Sequence, residues 1–161
     1  MELQTESQLR FQRREWTVQK AGTIVLVVFI LAALIGLLGA GPLATANRSS
    51  PNSLVSVEFD RITRLKTENS MAVTFAPEAV ENGTITLELT GPWTSGIDLQ
   101  GITPEPSEQK PIPGGLAMTF PADPSSETEV SLSIAAQEHL LLTGQATVSG
   151  DTVTFNQFVL P

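Results

Sequence analysis

One histidine, His139, no cysteine and seventeen scattered carboxylates are what this 161-residue sequence offers to acid–base, nucleophilic or metal chemistry. Nucleophilic catalysis needs an activated hydroxyl or thiol beside a base, and a lone histidine with no G-x-S-x-G elbow does not supply that pairing. Glu127 and Glu129 point to one side of a strand. Two carboxylates so spaced hold a hard cation only when further oxygen ligands converge on them; otherwise they form a solvated face. No glycine-rich phosphate loop occurs. Two acids distant in the chain would still meet as a hydrolase pair if the fold allowed it. Asn47-Arg48-Ser49 and Asn82-Gly83-Thr84 are glycosylation sequons, meaningful only in a eukaryotic secretory context. The sequence therefore predicts a non-enzymatic protein with no catalytic residue, metal site or cofactor.

The elements that would position any such group differ sharply along the chain. Between residues 21 and 47 nothing is ionisable, and residues 21–43 (AGTIVLVVFILAALIGLLGAGPL) are almost wholly apolar. As an α-helix this stretch is about 35 Å long, against a hydrocarbon core of about 30 Å. A helix of a soluble core keeps a polar stripe, and this one has none. The expectation is a transmembrane helix at 21–43 after a juxtamembrane tail at 1–20. Arg10, Arg13, Arg14 and Lys20 precede the span closely and only Arg48 follows it closely, which places the N-terminus in the cytoplasm and the C-terminal domain outside.

Thr5-Glu6-Ser7-Gln8 fits a capping box that starts the helix near Glu6. Phe11, Arg13, Arg14, Trp16 and Lys20 then fall at the membrane interface, facing headgroups. Ala32, Gly36 and Ala40 repeat a small-xxx-small pattern that admits a second helix, either another copy or a membrane partner. A cleaved export signal is the competing reading, since Arg13-Arg14 precede the apolar block and Ala44-Thr45-Ala46 is an A-x-A site after it. The apolar run far exceeds the roughly 7–15 residues of a secretory h-region, which favours a retained anchor.

Residues 44–53, including the turn-forming NRSSPN, read as a short linker, and residues 54–161 as a β-domain. There the apolar period changes to two: Val55, Val57, Phe59; Met71, Val73, Phe75; Ile85, Leu87, Leu89; Leu116, Met118, Phe120; Val130, Leu132, Ile134; Val153, Phe155. Such alternation suits half-buried strands. Turn signals at 81–83, 91–92, 113–115 and 149–151 space them as an antiparallel, immunoglobulin-like sandwich of seven or eight strands, with a small barrel as the alternative. The last signal joins 145–149 to 152–160 as a hairpin, while residues 135–142 are ambiguous between helix and strand.

Residues 48–161 carry five basic against fourteen acidic side chains, a balance that disfavours nucleic acid and anionic headgroups as partners of the domain. The proline-rich stretch 101–115, with Pro104, Pro106, Pro111 and Pro113, reads either as a recognition surface or as a long connection, and so does the shorter segment 121–126. Trp93 is either an exposed partner contact or a cap on the core.

The segment Phe11-Gln12-Arg13-Arg14-Glu15-Trp16, the span ending Gly41-Pro42-Leu43, the stretch Val57-Glu58-Phe59-Asp60-Arg61 and the ending Asn156-Gln157-Phe158-Val159-Leu160-Pro161 together resemble a family of small, uncharacterised bacterial single-pass membrane proteins. The resemblance covers both ends and is patchy between them. It implies an uncleaved anchor in the bacterial plasma membrane, an exported β-domain, and a multi-pass membrane protein of the YetF-like class as a partner. It implies no catalytic residue. The function expected is that of an accessory or structural protein whose β-domain binds another envelope or membrane protein; the alternative is an extracytoplasmic ligand-binding or sensing module.

Overall fold

The computed structural model describes the backbone of residues 3–34 and 44–161, and the side chains of Trp16, 18–34 and 44–161. The chain separates into two compact units between Leu43 and Ala44.

The first unit contains α1 (Leu3–Leu34), an unbroken helix of 32 residues. Over residues 21–34 it has no polar face, and its large apolar side chains are exposed all round. Among the described residues no helix is long and apolar enough to cross a membrane. The described apolar part of α1 is about 21 Å long, and residues 35–43 of the expected span lie outside the described residues. Lys20 places its Nζ 3.7 Å from the centroid of the Trp16 ring, one turn earlier. A cation over an exposed indole is worth about 0.5–1 kcal/mol.

The second unit is mainly β. Its strands are β1 (Thr45–Ser49), β2 (Val55–Asp60), β3 (Ile62–Arg64), β4 (Glu68–Phe75), β5 (Thr84–Thr90), β6 (Ile97–Thr103), β7 (Glu108–Ile112), β8 (Gly115–Pro121), β9 (Thr128–Ala136), β10 (Leu140–Val148) and β11 (Asp151–Leu160). A short helix, α2 (Pro92–Gly96), joins β5 to β6. The strands form two open sheets: β1-β2-β4-β9-β6, here sheet A, and β3-β11-β10-β5-β8-β7, here sheet B. These pairings exclude the barrel alternative, because neither sheet closes on itself.

Every alternating triplet read from the sequence lies on a strand, and nearly all of those side chains are buried between the sheets. Phe59 of sheet A meets Phe155 of sheet B at 5.4 Å between ring centroids, and Phe75 meets Phe120 at 6.4 Å. The core is therefore the apolar layer of a two-sheet sandwich.

The described strands number eleven, where seven or eight were expected. The additional ones are β1, β3, β6 and β7, which all lie at sheet edges. The linker expected at 44–53 is corrected in its first half: Thr45–Ser49 pairs antiparallel with β2 over five residues, and Ala46 is buried in the core. Polar strands at an edge bury too little to alternate, so TANRS carried no strand signal. The ambiguous stretch 135–142 divides between the end of β9, a tight turn and the start of β10.

The predicted hairpin at 149–151 is present, with Ser149 and Gly150 both at positive φ (48° and 83°). Positive φ at both central residues defines the I′ turn, whose twist matches that of the flanking strands.

Candidate functional site

Trp93 is 1% exposed and does not offer a partner contact. Gly91, at φ 101°, turns the chain out of β5, and Pro92 opens α2, which drives the indole inward. The ring stands edge-on to Phe155 at 5.2 Å and 81°, and its Nε1–H donates to Gln157 Oε1 at 3.1 Å. Gln157, itself buried on β11, donates its Nε2–H to the Asp60 carbonyl at 3.0 Å. This relay ties α2, β11 of sheet B and the end of β2 together, and a buried indole N–H requires such a partner. Gly144 lies against the same rings, where a Cβ would stand 2.4 Å from Phe155 Cζ and 3.0 Å from Trp93 Cβ. With its tryptophan inside the core, the ligand-binding alternative loses its stacking surface.

A second buried polar cluster centres on Asp151. Its Oδ2 accepts from Ser50 Oγ at 2.5 Å and from the Asn52 backbone N–H at 3.1 Å, and its Oδ1 accepts from Asn52 Nδ2 at 3.3 Å. The Ser50 hydroxyl in turn accepts from the Val55 N–H at 3.2 Å. The carboxylate thus pins the β1–β2 turn to the β10–β11 turn, one sheet to the other. All its neighbours are fixed donors of this chain, so its role is structural.

The chemically capable residues singled out in the sequence lie at the surface. Glu127, Glu129 and His139 are all exposed. No group of three or more histidines and carboxylates suited to a metal ion occurs among the described residues. One cleft, of about 780 Å³, is lined by Thr90, Pro92, Thr94, Ser95, Leu116 and Gln145 with backbone of the glycine turns, and holds no titratable side chain. A second, of about 540 Å³, lies between β6 and β7 and is lined by Leu99, Ile102, Glu105, Pro106, Glu108 and their neighbours.

The proline-rich stretch is mostly strand: it contains the end of β6, a four-residue crossing, all of β7 and the turn into β8. Pro104, Pro111 and Pro113 are exposed and Pro106 is half-buried. β6 and β7 are terminal strands of the two sheets. The prolines therefore occupy one side edge of the sandwich, about 20 Å across the sheets from β1 and β3 at the other.

Of the residues expected at the membrane interface, Trp16 and Lys20 are exposed on α1. Phe11, Arg13 and Arg14 lie on the α1 backbone, with side chains outside the described residues. Ala32 is half-buried on α1, whereas Gly36 and Ala40 lie outside the described residues.

A surface that the sequence reading missed lies on the outer face of sheet B. On it Leu141 and Phe158 are 61% and 43% exposed, while Leu140, 64% exposed at the start of β10, pairs with the buried Val159. Leu141 pairs with Phe158 across β10 and β11, and Phe158 pairs with Ile62 across β11 and β3. Paired residues share a face, so Ile62, Phe158 and Leu141 form a continuous apolar row. Period-two reading assigns one buried face per strand, and strands apolar on both faces conceal the second.

No protein-family model matches the sequence, and no curated protein matches it. Among solved structures, the chain is similar to a cohesin module from a Clostridium perfringens ATCC13124 family 33 glycoside hydrolase, with TM-score 0.44 and 11% identity, covering 71% of this chain and 98% of the module. It is also similar to the sulfur carrier protein SoxY from Chlorobium limicola f thiosulfatophilum, with TM-score 0.39 and 12% identity over 68% of this chain and 81% of that one. At such scores neither likeness assigns a function to this chain.

Proposed function

We propose that this is a non-enzymatic, single-pass membrane protein of the bacterial plasma membrane, whose extracytoplasmic β-sandwich serves as an accessory module binding another membrane or envelope protein. The observation that carries the reading is α1. Over residues 21–34 its exposed side chains are apolar in every direction, and in the sequence the apolar run continues to residue 43. A helix with no polar face is stable only where its whole circumference is removed from water.

Retention of the anchor is favoured by Ala44 and Ala46, both buried at the start of the sandwich. Cleavage after Ala46 would remove both, and with them the first two residues of β1, Thr45 and Ala46 itself. The exposed prolines on β7 and beside β6 give a partner a stiff edge, held at low entropic cost.

Two measurements test this. Alkaline carbonate washing should leave the protein in the membrane fraction with an intact N-terminus by mass, and release of a chain starting at Asn47 would refute the anchor. Affinity isolation in several mild detergents should retain a membrane or envelope protein; a chain that emerges alone from all of them would refute the accessory role.

A further inference from the structure

Asn82 and Gly83 are the two central residues of the turn that enters β5. Glu81 and Thr84 close it with two backbone bonds: the Glu81 N–H donates to the Thr84 carbonyl at 2.9 Å and the Thr84 N–H to the Glu81 carbonyl at 3.0 Å. Both central residues are at positive φ, 53° and 78°, which makes this a second I′ turn. Both are exposed, and a side chain on Gly83 would meet nothing within 4 Å. Among the described residues neither the Gly83 N–H nor the Asn82 side-chain amide has a hydrogen-bond partner, while the Gly83 carbonyl accepts from the Ala122 N–H at 3.0 Å.

The other asparagines of the chain, Asn47, Asn52, Asn69 and Asn156, are placed differently. Asn52 donates to Asp151 through Nδ2, Asn69 donates to the Thr67 carbonyl at 2.7 Å, and Asn156 accepts from the Thr143 hydroxyl at 2.8 Å. Asn47 and Asn156 lie on paired strands, and Arg48, Ser53, Ser70 and Gln157 follow the four in turn. A side chain on the following residue crowds its backbone nitrogen, and glycine has none. Among the described residues Asn82 alone combines an unpartnered side-chain amide, an exposed turn and an unhindered next nitrogen.

We propose that Asn82–Gly83 is a site of self-modification, at which the chain is its own substrate and water the co-reactant. The Gly83 nitrogen attacks Cγ of Asn82: the N–Cγ bond forms, the Cγ–Nδ2 bond breaks, and ammonia leaves with the proton that the Gly83 nitrogen gave up. The product is a five-membered succinimide. Water then adds to one of its two carbonyls. Opening at Cγ gives aspartate, and opening at the main-chain carbonyl gives isoaspartate, with the backbone rerouted through Cβ. The sequence of steps involves no oxidation or reduction.

Ring closure requires the Gly83 nitrogen to swing towards Cβ of Asn82, and the two cross-turn bonds resist that rotation. Opening both slows the reaction about 5- to 150-fold relative to an unfolded chain, given the net strength of backbone hydrogen bonds. The products alter the turn in their own way. Either acid puts a carboxylate beside Glu81, whose Oε1 accepts from the Ser149 hydroxyl at 2.8 Å, and isoaspartate also lengthens a two-residue connection by one methylene. The I′ geometry and the Ala122–Gly83 bond are then lost, and the paired strand ends at Thr84 and Pro121 fray. The reaction needs nothing outside the β-domain, so it is independent of the anchor.

Full-length protein in mild detergent is incubated in warm, mildly alkaline buffer beside the same chain unfolded in guanidinium chloride. Peptides from both are then analysed by electron-transfer mass spectrometry, which separates aspartate from isoaspartate. The expected result in the folded chain is the amide-to-acid mass gain at residue 82, with isoaspartate present and the other asparagines unchanged, at a rate about 5- to 150-fold below the unfolded reference. Aspartate without isoaspartate overturns the proposal, because direct hydrolysis bypasses the ring. Asn82 still intact when the folded chain has fallen more than about a thousandfold behind the reference, or faster conversion at another asparagine, also overturns it. Asn82→Gln, whose ring would have six members, should reduce conversion at 82 to background while hydrogen exchange at Thr84 and Ala122 keeps its initial rate; undiminished conversion in that variant overturns the mechanism.

Discussion

Gln157→Leu isolates the contribution of the buried polar relay. Leucine has nearly the volume of glutamine but neither donates nor accepts, so the Trp93 Nε1–H loses its acceptor at 3.1 Å and the Asp60 carbonyl loses its donor at 3.0 Å. The indole N–H sits in a residue 1% exposed, and an orphaned buried donor costs about 1–3 kcal/mol. Asp60 is half-buried and its carbonyl costs less, while the added apolar side chain offsets part of the loss. The net expectation is about 1–3 kcal/mol, or a fall in Tm of about 4–12 °C for a domain of this size. Urea unfolding of the full chain in mild detergent, followed by the strand signal in circular dichroism, measures it. Trp93→Phe removes the donor, so the double variant should be less destabilised than the sum of the two single ones, with a coupling of about 1 kcal/mol or more. A Gln157→Leu protein within about 0.5 kcal/mol of the natural chain, with no coupling, would refute the reasoning.

Three further outcomes are expected. Gly144→Ala places a methyl group 2.4 Å from Phe155 Cζ, in a ring held by Trp93 and Phe59, and should lower stability in the same assay by about 1–3 kcal/mol. Asp151→Ala removes the acceptor shared by Ser50 and Asn52 and should cost at least about 1.5–3 kcal/mol, with faster hydrogen exchange at the amides of Asn52 and Leu54. Asp123 is fully exposed and accepts from the Ser125 hydroxyl and amide, which hold its carboxyl below the usual aspartate range. That small stabilisation is complete above the unfolded pKa of about 3.9 and is lost as pH falls through the lower folded value, so the Ser125 amide resonance should titrate with a midpoint below 3.9.

The central strands were legible because burial on one face imposes the alternation that β2, β4, β5, β8, β9 and β11 display. The edge strands were not. β7 (EQKPI) is exposed along almost its whole length, and β3 spans three residues, too few for any period. The role of Trp93 was ambiguous because the sequence does not reveal that Gly144 and Gln157 come from other strands to receive the indole. The Asp151 cluster joins residues about a hundred positions apart, a separation that no local pattern encodes. The apolar row on the outer face of sheet B was hidden for a different reason: a period-two pattern reports the buried face of a strand and not which hydrophobic residues lie on its outer side.

The corner at Arg61 gives the sandwich a mechanical property. Its N–H grips Ala44 on the sheet A side and its carbonyl grips Phe158 in sheet B, so a pull arriving along the backbone at Ala44 is divided between both layers within a single residue. Under tension the domain should yield as one body, in a single rupture, and below that force it should transmit displacement without stretching.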